Sequence, residues 1–277
     1  MSSLVPRTAL ADGTLMDVLG YGVYKVPPDD TEELCSTALD VGYRLLDTAA
    51  LYGNEAGVGA AARRYLETGT REDLFITSKV WNADHGYEAT LRAFDASMEL
   101  LGLDQLDLYL IHWPCPSKDL YVDTWRALER LRADGRVRSI GVSNFQEAHL
   151  ERLLAETGVA PVLNQVELHP YLQQSGLRSF HERHGITTQA WSPLGRGNVL
   201  VDPEIGRIAA ELGRTPAQVI LRWHYQHDVL TIPKASSRER ISSNLDIFGF
   251  TLDDAHLSAL DALDRDQRFG SHPDTVG

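Results

Sequence analysis

The sequence predicts an α/β chain folded as a (β/α)8 TIM barrel with an N-terminal β-hairpin and two extra helices. Three observations carry this expectation. Short apolar runs alternate with amphipathic helical stretches from end to end. The apolar runs are bounded by turn residues, as strands of a parallel sheet buried on both faces require. The 277 residues shared among eight units leave about 35 per unit, which suits a barrel repeat with insertions.

Each element follows in order. Residues 8–14 read as the hairpin, because Asp12-Gly13 between extended residues is a strong turn signal. The eight strands are expected at 18–24, 44–47, 74–79, 106–112, 139–143, 162–167, 187–191 and 229–232. Gly20 and Gly22 mark places in the first where something approaches the backbone closely. Helices with a buried face are expected at 30–41, 54–67, 87–101, 119–133, 148–157, 175–184, 215–226 and 238–248. Residues 202–212 and 253–264 form the two helices outside the eight repeats. No linker, composition shift or low-complexity stretch interrupts the chain, so residues 1–277 are expected to form a single domain.

Composition excludes several function classes. There are 26 Lys and Arg against 39 Asp and Glu, a formal charge of −13. Such a surplus of carboxylates repels phosphate backbones and anionic lipid, so neither a nucleic-acid nor a membrane partner is expected. The two cysteines, Cys35 and Cys115, build no disulfide framework and suit a reducing compartment. The first seven residues lack the apolar region of a signal peptide, and no apolar run is long enough to span a bilayer. A cytoplasmic monomer is expected.

In a barrel of this kind the active site forms at the C-terminal ends of the strands. Asp47, Lys79 and His112 end the second, third and fourth strands, and Tyr52 follows the second. Each alone has an ordinary structural explanation. Together they form a coherent acid–base set. A phenol is a weak acid, a neighbouring ammonium stabilises its phenolate, and a carboxylate holds that ammonium in place. A histidine beside them can hydrogen-bond a carbonyl oxygen. Such a site protonates an oxygen as negative charge develops on it, contains no evident nucleophile, and needs a hydride or another reagent from outside.

The chain has no G-x-G-x-x-G after a strand and no Walker sequence; Gly20-Tyr21-Gly22 and Gly195-Arg196-Gly197 are too short to count. Lys234, Ser236, Ser237, Arg238, Arg240 and Asn244 instead gather around the start of the last repeat helix, where barrels often bind phosphate. Trp191, at the end of the seventh strand, offers a face on which a flat ring could stack. A metal-dependent hydrolase would need ligand clusters at the rim. No His-x-His follows the first strand, and His181/His184 and His224/His227 fall on helices, where solvated pairs are expected. No metal is expected.

Longer segments carry a resemblance. Leu46-Asp47-Thr48-Ala49-Ala50-Leu51-Tyr52-Gly53-Asn54-Glu55, Asp107 to Pro114, Gly141-Val142-Ser143-Asn144-Phe145 and Ile232-Pro233-Lys234 through Asn244 resemble, in order, the signatures of the aldo-keto reductases. Within that superfamily the segment from Leu19 to Pro27 and the closing Ser271-His272-Pro273-Asp274 are most similar to bacterial 2,5-diketo-gluconate reductases. The resemblance implies Tyr52 as proton donor, Lys79 and Asp47 as its tuning pair, and His112 as the group that orients the carbonyl. It implies that Ser143, Asn144 and Gln165 hold the nicotinamide carboxamide and that Trp191 stacks on the ring. Val23 is counted with the coenzyme positions, and Ser192, Leu194 and Gly195 run along the pyrophosphate. Lys234, Ser236, Arg240 and Asn244 match the adenosine-phosphate end, and Tyr24, Trp81 and Trp113, with His112, wall the substrate pocket. Ala235 departs from the pattern, which usually has serine after the lysine.

The expectation is therefore NADPH-dependent reduction of small dicarbonyls, aromatic aldehydes and keto-sugar acids to alcohols. The alternative is a barrel that binds a nicotinamide coenzyme for a sensing or structural role, with little turnover.

Overall fold

The computed structural model describes residues 5–277; residues 1–4, part of the stretch read above for a signal peptide, lie outside the described residues. Strands β1 (Arg7–Ala9) and β2 (Leu15–Asp17) pair antiparallel in the register Arg7↔Asp17. Their turn uses the Asp-Gly signal: Gly13 sits at φ 86° and the Asp12 carboxylate accepts the Thr14 N–H at 3.0 Å.

Eight parallel strands follow, each beside its chain neighbour: β3 (Tyr21–Gly22), β4 (Leu45–Asp47), β5 (Phe75–Val80), β6 (Leu106–Ile111), β7 (Val137–Ser143), β8 (Leu163–Glu167), β9 (Thr187–Trp191) and β10 (Leu230–Thr231). The sheet curls until its edges meet. Leu19 and Thr231 form a parallel bridge, and the Gly20 N–H donates to the Thr231 carbonyl at 2.8 Å. The close approach expected at Gly22 is to the backbone after β10, because a Cβ there would lie 2.7 Å from the Ile232 carbonyl oxygen.

Two expected strands are shorter than their apolar runs. The first pairs with β4 only at Tyr21–Gly22, because the Val26 N–H turns back onto the Val23 carbonyl at 3.0 Å and ends the extended run. The last is paired only at Leu230–Thr231.

The helices are α1 (Pro28–Val41), α2 (Glu55–Leu66), α3 (Tyr87–Leu101), α4 (Tyr121–Ala133), α5 (Glu147–Glu156), α6 (Ser175–Arg183), α7 (Pro203–Leu212), α8 (Pro216–Gln226), α9 (Arg238–Leu245) and α10 (Asp254–Asp261). Helices α7 and α10 are the two outside the repeats. Their starts are chemically marked, Asp202 capping the Glu204 and Ile205 N–H groups and Asp253 that of His256. Helix α9 stops at Leu245 and not at the expected 248. The Gln218 amide and Arg222 guanidinium of α8 take the Asp246 and Ile247 carbonyls at 2.9 and 3.2 Å, bending the chain out of the helix. Among the described residues no helix is long and apolar enough to cross a membrane.

Strand alternation sorts the inner face of the sheet. Leu45 and Asp47 share one face of β4, as do Phe75, Thr77 and Lys79 of β5, while Leu46 and Ile76 turn outward toward the helices. At the N-terminal ends the inward residues are mainly apolar, and Leu45, Phe75, Leu108 and Leu163 pack with Leu10 and Met16 of the hairpin. The Ser139 hydroxyl fastens the hairpin by donating to Asp12 at 2.8 Å. This end is closed. At the C-terminal ends the inward residues become polar.

Candidate active site

The centre of the polar end is a buried ion pair. Lys79 is wholly inaccessible, and its Nζ lies 2.6 Å from Asp47 Oδ1 and 2.8 Å from the Thr48 carbonyl. The second Asp47 oxygen accepts from the Gln165 amide at 2.8 Å, and the same amide reaches Gln189 at 2.7 Å. Two strand ends and a strand opposite therefore fix one carboxylate.

Tyr52 stands on a short 3-10 turn, Ala50–Tyr52, that follows β4. Asn54 holds this turn. Its carboxamide donates to the Val23 and Val26 carbonyls at 3.0 and 3.2 Å and accepts from the Thr48 hydroxyl at 2.8 Å. The loops after β3 and β4 are thereby tied together, which puts the Tyr24 and Tyr52 rings 5.1 Å apart. Lys79 Nζ is 5.3 Å from the Tyr52 ring centre. His112, just past β6, sets its ring edge-on to Tyr52 at 5.6 Å and to Trp81 at 5.1 Å.

Asn144 organises the far side in the left-handed region, at φ 64°, a conformation that asparagine tolerates better than most residues. Its Nδ2 donates to the His112 carbonyl at 2.9 Å and its Oδ1 accepts from Trp191 Nε1 at 2.8 Å. The Ser143 hydroxyl donates to the Gln165 carbonyl at 2.7 Å.

Burial sets the protonation states. It pushes the Tyr52 phenol well above its ordinary value, reinforced by the charge of Asp47 and by Tyr24. Burial, with Lys79 and His85 nearby, holds His112 well below the usual histidine range. Lys79 is also lowered by burial, against the opposing pull of Asp47. The lowered phenol expected from the sequence is thus corrected: Asp47 compensates the ammonium, so desolvation decides the sign. At neutral pH the phenol keeps its proton and the imidazole is neutral.

Two cavities open on this end. The first, about 280 Å³, is lined by Tyr52, His112, Asp47, Trp81 and Trp113, with Trp191, Asn144, Ser143 and Gln165 on the opposite wall. The second, about 660 Å³, is lined by Leu194, Lys234, Ala235, Arg240 and Asn244. Tyr24, Ser192, Arg196 and Lys234 belong to both, so the cavities adjoin. Four expected positions face neither. Lys79 lies behind Asp47, Val23 is buried and engaged through its backbone, Gly195 is buried, and Ser236 is exposed. Ser237 caps α9 by accepting the Arg240 N–H.

Sequence reasoning missed Lys25 and Arg196, which line the second cavity, and Ser271 and Val276, which line the first. Both cations have positive φ, 62° and 53°, in irregular loops without periodicity. The only available signal for Arg196 was its place between two glycines.

The model of the aldo/keto reductase family matches residues 17–265. The chain belongs to this family. It is 50% identical over 271 residues to an aldo-keto reductase of Mycolicibacterium smegmatis, covering 98% of each chain. It is 50% identical over 277 residues to the glyoxal reductase of Bacillus subtilis, covering 99% of each. The crystal structure of a mutant of Gox0644 in complex with NADPH superposes with a TM-score of 0.94 at 48% identity, over 99% of this chain and 100% of that one.

For this aldo-keto reductase the helical histidines need a correction. His181 and His224 are buried, not solvated. His181 Nε2 accepts from the Asn164 amide at 2.9 Å and its Nδ1 meets the Thr188 hydroxyl at 2.8 Å. His224 joins the Ile220 and Leu168 carbonyls. They fasten helices to the sheet. Among the described residues no group of three or more His, Cys, Asp or Glu is placed to hold a metal ion.

Proposed function

We propose that the protein is an NADPH-dependent carbonyl reductase that converts small aldehydes and ketones to alcohols. The observation that carries this reading is the junction of the two cavities at Ser192, Arg196 and Lys234. One cavity holds a protonated phenol beside a neutral imidazole, and the other is lined by four cationic side chains, Lys25, Arg196, Lys234 and Arg240, against one acid, Glu239. A long anionic ligand with one flat uncharged end fits that pair of sites. The similarity to a glyoxal reductase and to a protein that binds NADPH supports the same class.

Bound NADPH would supply a hydride to the carbonyl carbon, the chemistry that the side chains lack. Trp191 would stack on the nicotinamide, and Ser143, Asn144 and Gln165 would hold its carboxamide. Ser192 and Leu194 would border the coenzyme, with Lys25 and Arg196 neutralising pyrophosphate charge, while Val23 and Gly195 lie buried behind that wall. Lys234, Arg240 and Asn244 would take the adenosine phosphate. Arg grips phosphate through two donors, while Lys acts as a point charge. Ala235 has no hydroxyl to add, so discrimination against NADH rests on the cations.

His112 donates a hydrogen bond to the carbonyl oxygen. Tyr52 gives that oxygen its proton as it becomes an alkoxide, a far stronger base than phenolate. The remaining phenolate then lies near the Lys79 ammonium, held there by Asp47. Tyr24, Trp81 and Trp113 favour small and aromatic carbonyls, including dicarbonyls and keto-sugar acids. Residues 1–277 act as one unit, a cytoplasmic monomer without metal, nucleic acid or membrane.

The test is NADPH oxidation, followed by absorbance, with a panel of aldehydes, dicarbonyls and keto-sugar acids. No turnover with any of them overturns the reading in favour of a coenzyme-binding barrel. In Arg240→Ala the KM for NADPH should rise about tenfold, the worth of a hydrogen bond to a charged group. The KM for NADH should stay near wild type. Equal loss with both coenzymes would remove Arg240 from the phosphate site.

A further inference from the structure

Outside the acid–base set, Glu167 is a buried carboxylate with no assigned task. Glu167 ends β8 and is wholly buried. It does not face the cavity; it faces the C-terminal segment. Its Oε1 accepts the Phe269 N–H at 2.7 Å, and the Gly270 N–H is shared between Oε1 at 3.1 Å and Oε2 at 3.0 Å. His169 Nε2 lies 3.2 Å from Oε1, and the His169 ring packs against Phe269 at 5.0 Å. Burial works to raise this carboxyl, yet the hydrogen bonds from His169, Phe269 and Gly270 hold it below the usual range, so it stays charged.

The segment it holds presses on Trp191. A Cβ on Gly270 would fall 2.4 Å from Trp191 Cη2 and 2.8 Å from Glu167 Oε2, so backbone, carboxylate and indole edge are in mutual contact. The indole is fixed from its other side by Asn144. Beyond Gly270 the chain supplies Ser271 and Val276 to the wall of the first cavity.

We propose that Glu167 is a positioning residue that latches residues 269–271 onto the upper end of β8 and thereby sets both the Trp191 indole and the cavity wall that selects the carbonyl substrate. The latch stands on geometry alone; its kinetic consequence rests on the carbonyl-reductase reading above. Glutamine at this position keeps one acceptor but turns an NH2 group toward an N–H donor, so the segment loses its double anchor. Alanine at position 270 keeps the carboxylate and leaves no buried hole, but forces the segment off the indole.

The experiment compares wild type, Glu167→Gln and Gly270→Ala as full chains. Amide hydrogen exchange of residues 269 and 270, measured without coenzyme, should accelerate about tenfold or more in both variants. With NADPH saturating and phenylglyoxal as substrate, KM should rise about tenfold while kcat stays within about twofold. A fold-only role for Glu167 would not produce that split, nor its reproduction by Gly270→Ala. Unchanged exchange in Glu167→Gln overturns the latch. Faster exchange with an unchanged KM, or a fall in kcat alone, overturns the link to the substrate wall. If wild type turns over no carbonyl, the functional reading and the kinetic half fall together, while the exchange result still decides the latch.

Discussion

Along β5 the inner face changes from Phe75 at the lower end to Lys79 at the upper, and along β4 from Leu45 to Asp47. The same strands therefore build two unlike ends. Below, Leu10 and Met16 of the hairpin complete an apolar plug with Leu45, Phe75, Leu108 and Leu163. Above, buried polar groups are paired side chain to side chain: Lys79 with Asp47, Asp47 with Gln165, Trp191 with Asn144. The lower end draws its stability from non-directional burial. The upper end depends on directed bonds, any of which leaves a buried partner stranded when cut. Function and stability should therefore separate along the barrel axis.

The largest expected effect breaks the upper end alone. Tyr52→Phe removes the proposed proton donor and little else, so turnover should fall by about 10²–10⁴ while the unfolding midpoint in urea stays close to wild type. Retained turnover would take the phenol out of the chemistry. Lys79→Met should strike both properties. It strands the buried Asp47 carboxylate, and equilibrium unfolding should show a loss of about 3–5 kcal/mol. A loss below 1 kcal/mol would mean that the two ends are not built as differently as their bonds suggest.

Met16→Ala is the mirror experiment at the lower end. It should cost about 2–5 kcal/mol of stability through cavity formation and lost burial, with kcat/KM at 25 °C unchanged within about twofold. A clear drop in kcat/KM would show that the plug transmits strain to the rim.

The outermost layer sharpens the contrast further. Burial holds His181 down to about 4, with Arg178 nearby contributing, and the Asn164 amide occupies its Nε2 lone pair. Its folded value lies below its unfolded value, so the unfolded chain takes up the proton first. Stability is fully present above about pH 6.5 and is lost as pH falls toward 4, at about 1.4 kcal/mol per unit. His181→Leu should therefore be less stable than wild type at pH 7.5, and the gap should narrow by about 2 kcal/mol at pH 5. A pH-independent gap in urea titrations would show that His181 does not titrate on unfolding.

The strands and the rim residues were legible because both depend on near neighbours. Apolar runs bounded by turns mark strands, and the polar residue ending each run marks the upper rim, so Asp47, Lys79 and His112 could be placed before any contact was known. What depends on distant parts of the chain was not legible. Lys25 and Arg196 reach the second cavity through isolated positive-φ residues, for which neither helix nor strand periodicity offers a signal. Ser271 and Val276 arrive from a tail fixed by a carboxylate about a hundred residues earlier in the chain. The sign of the Tyr52 shift turned on burial, which residue order does not reveal.

Asn54 bears on how this pocket could be redesigned. Because its carboxamide stitches the Val23 and Val26 carbonyls to the Thr48 hydroxyl, Tyr24 and Tyr52 are carried on one stiff frame. A side-chain swap at Tyr24 can widen the entrance for larger carbonyls without moving the phenol. A library that also randomises Asn54 would let the two tyrosines drift apart and sacrifice turnover for reach.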